Sequence, residues 1–269
     1  MIHTLSRGGV LFVTLDNPAT RNALDDAMLA GLRGALESAG ADCSIRAVLL
    51  RGAHGNFCAG GDFTHFKALM ATPAGEPDPI AVSNRAFGTV LERLAACEVP
   101  LIATVEGAAM GGGLGLAAVC DIVLATQDAR FGMPEATIGL PPAQIAPFVA
   151  LRLGAGPALR LMLTGARLTA EQAKAVGLVD EIAADADELR ACALRWIGQL
   201  GRAEPAAARA TKRILATARR SMLGDALDLA SQAFAAALRS GTAEEGIAAF
   251  AAKRAPVWQA QLTDWPELP

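Results

Sequence analysis

Short apolar runs rich in branched residues alternate along this chain with segments of helical spacing, and glycine or proline marks most of the turns between them. Val10 to Leu15 is followed by the Asn17-Pro18 turn and then by Ala23 to Ala39, where Leu24, Met28, Leu32 and Leu36 form one helical stripe. Ile45 to Leu50 leads through RGAHGNFCAGGD to a helix predicted from Phe63, with Asp62 as its N-cap. Residues 71–79 hold three prolines and a glycine and are read as a mobile loop. A helix over Ile80 to Cys97, a strand over Leu101 to Val105, a helix over Leu114 to Cys120 and a strand over Ile122 to Ala125 complete the series. This order predicts an α/β core with crossover connections. From about Asp185 strands cease, and an Ala-, Leu- and Arg-rich helical segment follows with breaks at Pro205 and Gly241. Residues 1–184 are expected to form the core and 185–269 a helical appendage. No repeat of fixed period is evident.

Composition removes several function classes. The formal charge of −3 offers no global attraction to nucleic acid or to an anionic membrane. The longest uncharged run, Ala136 to Leu151, contains three prolines and is too short to span a bilayer. The first apolar stretch is too short for the core of a signal peptide. Five cysteines, Cys43, Cys58, Cys97, Cys120 and Cys192, are scattered without a CxxC pair, which suits buried thiols in a reducing compartment. A cytoplasmic protein without nucleic-acid or membrane partners is expected.

Most common catalytic patterns are missing. There is no GxSxG and no Walker A sequence, and His3, His54 and His65 have no metal-ligand spacing. In GAAMGGGLGL, Gly107, Gly111 and Gly113 fit the spacing of a dinucleotide turn. That turn lies mid-chain, however, and the chain has no tyrosine for a Tyr-Lys pair. Glycines at a helix start also let backbone N–H groups point at an incoming oxygen, aided by the helix dipole. FCAGGD, Phe57 to Asp62, is a second glycine-rich turn between strand and helix. Two such turns converging would form an oxyanion hole, and each alone is equally consistent with tight packing.

FCAGGD, PLIATVEGAAMGGGLGLAAVCDIVLAT, ARFGMPEATIGLPP, LTAEQAKAVGLVDEI and GIAAFAAKR together resemble the enoyl-CoA hydratase/isomerase (crotonase) family in order and spacing. The resemblance implies an α/β fold, a right-handed spiral of ββα units carrying an acyl-CoA site over residues 1–184. It further implies a helical oligomerisation region over 185–269 and a homotrimer or dimer of trimers. It places the oxyanion donors at Gly61 and Gly112 and the acid/base at Glu135. Substrate contacts are implied at Arg21, Ala23, Ala59, Gly60, Gly115, Pro134, Phe250 and Lys253. No metal is implied, and no cofactor beyond the coenzyme A of the substrate. Gly115 stands where typical hydratases of the family carry a second glutamate. SNRAFGTVLERL and IGLPPAQIAPFVALRLG are similar to hydratases of branched glutaconyl-CoA esters, the isohexenylglutaconyl- and methylglutaconyl-CoA types. Arg85, Lys67 and Gln144 are candidate partners for the extra carboxylate of such a substrate. The implied activity is hydration of a 2-enoyl-CoA. The alternatives are a Δ3,Δ2-enoyl-CoA isomerase and, in another class, a non-catalytic acyl-CoA- or RNA-binding module.

Overall fold

The computed structural model describes residues 1–73, 75–218, 227, 231–232, 234, 242–259, 262 and 264–268. Its nine described strands are β1 (Ile2–Arg7), β2 (Val10–Leu15), β3 (Ala47–Gly52), β4 (Leu101–Val105), β5 (Ala108–Met110), β6 (Ile122–Thr126), β7 (Arg130–Gly132), β8 (Arg167–Thr169) and β9 (Glu181–Ala183). Every side chain of β2 and β4 is buried, as strands covered on both faces require. These strands lie inside a six-stranded sheet of order β1-β2-β3-β4-β6-β9. β1 is an antiparallel edge strand, and the other pairings in the sheet are parallel. The two-residue turn Gly8-Gly9 joins β1 to β2 at φ 57 and 77, left-handed at both positions as a tight hairpin demands. A small second sheet has the order β5-β7-β8.

The parallel pairings force crossovers, and helices supply most of them. α1 (Asp26–Ala41) links β2 to β3, while α2 (Phe63–Met70) and α3 (Pro79–Ala96) link β3 to β4. α4 (Gly112–Ala118) precedes β6, and α5 (Ala146–Leu153), α6 (Ala155–Thr164) and α7 (Ala170–Ala175) lie between β7 and β9. α8 (Ala186–Leu200), α9 (Pro205–Ala218) and α10 (Thr242–Ala251) follow the last strand. Aspartates start four of these helices: Asp25 accepts from Met28 N, Asp62 from Thr64 N, Asp78 from Ile80 N, and Asp185 from Asp187 N and Glu188 N. A Thr169–Gln172 capping box starts α7.

Two apolar cores flank the large sheet. The larger joins Val13, Leu15, Val48 and Leu50 to residues of α1, α3, α4 and α5. On the other face Phe12, Leu49, Ile102 and Leu124 pack with Leu189, Cys192 and Ile197 of α8 and with Leu262 of the tail. Strand alternation decides this partition, because neighbouring residues of β2 and β3 face opposite cores.

Several boundaries differ from those read in the sequence. The first helix begins at Asp26, not Ala23, because Asp25 caps it and the backbone of Leu24 pairs with residues 60–62. The second buried strand runs over Ala47–Gly52 rather than from Ile45, since pairing with β2 starts at the Val10↔Ala47 rung. Part of the connection read as a loop over 71–79 is ordered by helix ends: Thr72 N donates to Leu69 O, and Asp78 caps α3, whose first residue is Pro79. The break expected at Gly241 lies outside the described residues.

Candidate active site

Segment 57–62 is held from both sides by backbone hydrogen bonds. Toward β5, Phe57 N donates to Glu106 O at 2.8 Å, Cys58 N to Ala108 O at 2.9 Å, and Met110 N to Cys58 O at 3.0 Å. Toward the segment before α1, Ala59 N donates to Arg21 O at 3.0 Å, Leu24 N to Gly60 O at 2.7 Å and Asp62 N to Leu24 O at 3.2 Å. In this parallel pairing Gly60 O and Asp62 N face Leu24, so the N–H of Gly61 between them faces away.

The glycine triplet meets this segment backbone to backbone. Gly111 is left-handed at φ 49 and donates its N–H to Gly132 O at 2.8 Å. α4 begins at Gly112, whose amide is one of the first-turn donors that a helix cannot satisfy internally. Gly60 has φ 103, and a β-carbon there would lie 3.0 Å from Met110 O and 3.8 Å from Gly112 N. Only glycine permits both that dihedral and that approach. Among the described residues neither the Gly61 nor the Gly112 amide donates a hydrogen bond.

Glu135 opens a short 3-10 turn, Glu135–Ile138, after β7. Its Oε1 lies 2.6 Å from where a β-carbon on Gly111 would be, so the carboxyl group sits over the glycine turn. Its Oε2 is buried without a hydrogen-bond partner. Burial raises the carboxyl pKa above the ordinary glutamate value, opposed by its own backbone N–H. Phe131 and Met133, both fully buried, precede it, whereas Ile138 is 52 % exposed and takes no part in the expected apolar surround. A carboxyl group with a raised pKa and one unpaired oxygen, lying over Gly111 at the start of α4, is of the kind that can take up and give back a proton.

The space beyond Gly112 and Gly115 is apolar. A β-carbon on Gly112 would meet Leu24 Cδ1 at 2.9 Å and the Phe87 ring at 3.3 Å. One on Gly115 would meet Ile145 Cγ2 at 2.4 Å. Ile145 thus fills the position that a side chain at 115 would take. Ile145 and Asn22, a fully buried asparagine beside Arg21, did not stand out in the sequence. Ile145 sits within a long uncharged run where no local pattern marks it, and nothing in TRNALD distinguishes a buried asparagine at 22 from an ordinary turn residue.

The remaining predicted residues divide into near and remote. Arg21 is exposed and left-handed at φ 52, Ala23 is buried, and Ala59 and Pro134 are half-buried. Arg21 and Ala59 are joined directly by the bond between their backbones. Arg85 already pairs with Glu92 at 2.8 Å, and Gln144 Nε2 donates to Asn84 at 3.1 Å. Both side chains converge on Gly88, whose hypothetical β-carbon would lie 1.9 Å from Gln144 Oε1 and 3.1 Å from Arg85 Nη1. Lys253 is exposed at φ 53 just after α10, and among the described residues no hydrogen bond ties it to this cluster. The side chains of Lys67 and Phe250 lie outside the described residues. Among the described residues no group of three His, Cys, Asp or Glu could hold a metal ion. No described helix is long and apolar enough to cross a membrane.

Residues 6–261 match the family profile described as Enoyl-CoA hydratase/isomerase. The chain is 36 % identical over 248 residues to 2,3-dehydroadipyl-CoA hydratase of Escherichia coli strain K12, covering 92 % of this chain and 94 % of that one. Pseudomonas aeruginosa AtuE superposes with a TM-score of 0.91 at 44 % identity, covering 96 % of this chain and 99 % of the other. An enoyl-CoA hydratase/isomerase from Marinobacter aquaeolei gives 0.91 at 39 % identity over 96 % and 98 %. The likeness that a handful of motifs suggested thus extends along nearly the whole chain and into its backbone, and the protein belongs to the enoyl-CoA hydratase/isomerase family, with the crotonase fold.

Proposed function

We propose that this protein is a lyase that hydrates a 2-enoyl-CoA thioester, with Gly61 and Gly112 as oxyanion donors and Glu135 as the acid/base. The observation that supports this reading is the packing of Gly60 against the backbone of Met110–Gly112, with the Glu135 carboxyl, whose Oε2 has no partner, lying over Gly111 and with the Gly61 and Gly112 amides unused. The thioester oxygen accepts both N–H groups. Glu135, ionised, takes a proton from water as the water oxygen bonds to C3, and the C2–C3 π electrons move to give the enolate. Glu135 then delivers that proton to C2, and the enolate collapses to the 3-hydroxyacyl thioester. Each fixed donor is worth about 10²–10³ in rate.

A second reading is favoured by Ile145. With an isoleucine methyl where a carboxylate at position 115 would project, one acid remains. A single carboxylate suffices to carry a proton between C2 and C4 in a Δ3,Δ2-enoyl-CoA isomerase. Incubation with 2-enoyl- and 3-enoyl-CoA esters in heavy water separates the two. Hydration consumes the 2-enoyl absorbance and yields the 3-hydroxy product; exchange of deuterium between C2 and C4 without addition of water overturns the hydratase reading.

The acyl group we assign is a branched glutaconyl ester such as isohexenylglutaconyl-CoA, whose own carboxylate helps to hold the water that no second protein carboxylate holds. The E. coli relative, by its name, acts on another thioester of a dicarboxylic acid. Arg85 and Gln144, converging on Gly88, are the proposed partners of the extra carboxylate. Arg85→Ala is expected to lower kcat/KM about tenfold or more on glutaconyl-type esters, the scale of losing one charge-assisted contact, and to spare simple enoyl esters. Equal losses on both would remove Arg85 from this role. Coenzyme A is assigned to Arg21, Ala23 and Ala59, with Phe250 and Lys253 contributed from a neighbouring subunit of a trimer or dimer of trimers. The protein acts in the cytoplasm on this reading.

A further inference from the structure

We infer that Asn22 is a positioning residue that sets the Gly61 amide for the oxyanion, an inference that rests on the oxyanion role proposed above. Asn22 is 1 % exposed and left-handed at φ 61, directly after left-handed Arg21. Its carboxamide uses both ends. Oδ1 accepts from Asn17 N at 2.7 Å, while Nδ2 donates to Ala53 O at 3.0 Å and to Asn56 O at 2.7 Å. Its own N–H donates to Asn17 O at 2.9 Å. One side chain therefore ties the segment entering α1 to the turn that leaves β3.

Both tied segments lead straight to the proposed oxyanion donors. The residues flanking Asn22 carry the rungs against 59–62: Arg21 O accepts from Ala59 N, and Leu24 bonds Gly60 O and Asp62 N. The turn 53–56 runs directly into Phe57 and Cys58, which are bonded to Glu106 and Ala108. The same turn packs on Gly107, where a β-carbon would lie 2.2 Å from Gly55 O and 3.1 Å from Asn56 Oδ1, and residue 107 leads into β5 and the glycine triplet. The spacing between the Arg21–Leu24 rungs and segment 57–62 is thus held at its far end by one carboxamide. The turn closes on itself only by the long Asn56 N–Ala53 O bond at 3.4 Å, and among the described residues no other donor from segment 17–24 reaches the carbonyls at 53 and 56, so nothing replaces the tie between the two segments. Misplacing a fixed group by about 1 Å costs on the order of a hundredfold in rate.

Asn22→Gly removes the carboxamide while tolerating the left-handed backbone, and Asn22→Asp keeps the shape while placing an acceptor against two carbonyls. The readout is a 3-ketoacyl-CoA, whose enolate absorbs in the near ultraviolet and loads the oxyanion site without turnover. The wild-type protein is expected to bind it with the enolate band. The variants are expected to bind the keto thioester with Kd within about twofold of wild type, but to need about ten- to a hundredfold lower proton activity for the band. Their kcat on the enoyl substrate is expected to fall by a similar factor with little change in KM. Full-strength enolate bands and unchanged kcat in either folded variant overturn the assignment of Asn22. Absence of the band in wild type, with the ligand bound, overturns the oxyanion reading instead.

Discussion

Glu135 carries the clearest residue-scale consequence, because its environment pushes function and stability in opposite directions. The folded protein holds this carboxyl at a pKa above its ordinary value, by burial. The unfolded chain therefore gives up the proton first as pH rises. Any stability linked to this group is present below the ordinary glutamate pKa and is lost as pH climbs through the raised folded value. Glu135→Gln removes that ionisation, so the variant is expected to show a higher Tm than wild type at neutral pH. Its kcat is expected to fall about 10²- to 10⁴-fold, as loss of a general acid/base does. The wild-type kcat/KM profile should have its acid limb above the ordinary carboxylate range, since in the proposed mechanism the ionised form starts the reaction. An acid limb at or below that range would exclude Glu135 as the base.

At the scale of elements, the register of α4 against the loop before α5 decides how many carboxylates the site can hold. Gly115 is buried, and Ile145 lies where its side chain would go. Gly115→Ala alone is expected to cost about 1–3 kcal/mol through overpacking, read as a lower urea midpoint. In the Ile145→Ala background the same change should cost far less, and the cycle should show a coupling of about 1 kcal/mol or more, as for residues in direct contact. Simple additivity would mean that Ile145 does not occupy that space. Such a contact was not legible beforehand. Glycine at 115 was visible as a departure from the family pattern, but the side chain that fills the vacancy comes from a segment thirty positions on, approximately, with no periodicity to orient it.

For the whole molecule, the question is how the chain after the last strand is fastened to the core. Arg46, just ahead of β3, donates to Gly201 O at 3.0 Å, Ala203 O at 2.6 Å and Trp258 O at 2.5 Å. Phe12 of β2 meets Trp265 edge-on at 5.4 Å, and Arg7 pairs with Asp264. α8 completes the core on one sheet face, although the sequence places it with the helical appendage. Arg46→Met keeps much of the side-chain volume but leaves three carbonyls without their shared donor. It is expected to cost about 2–4 kcal/mol, the scale of losing charge-assisted hydrogen bonds at partly buried groups, and to expose the segment after residue 204 to protease. An unchanged urea midpoint would show that the apolar contacts alone hold the tail.

What the sequence determined by itself is local or cumulative. Buried strands announced themselves as apolar runs, Asp62 as a cap beside its helix, and the family through several motifs in a fixed order. β1 carries no such signal, because its side chains are partly exposed and a single edge strand shows no continuous apolar run. β5, β7, β8 and β9 span three residues each, too short for any period to emerge. The tertiary structure alone decided which groups meet: Gly60 against Gly112, Glu135 over Gly111, Ile145 into Gly115, Asn22 between two turns. The physical reason is common to all four. A backbone amide, a carboxyl, an isoleucine methyl and a carboxamide each acquire their neighbours only when chain segments distant in sequence are packed to within van der Waals contact, and no residue type encodes that placement.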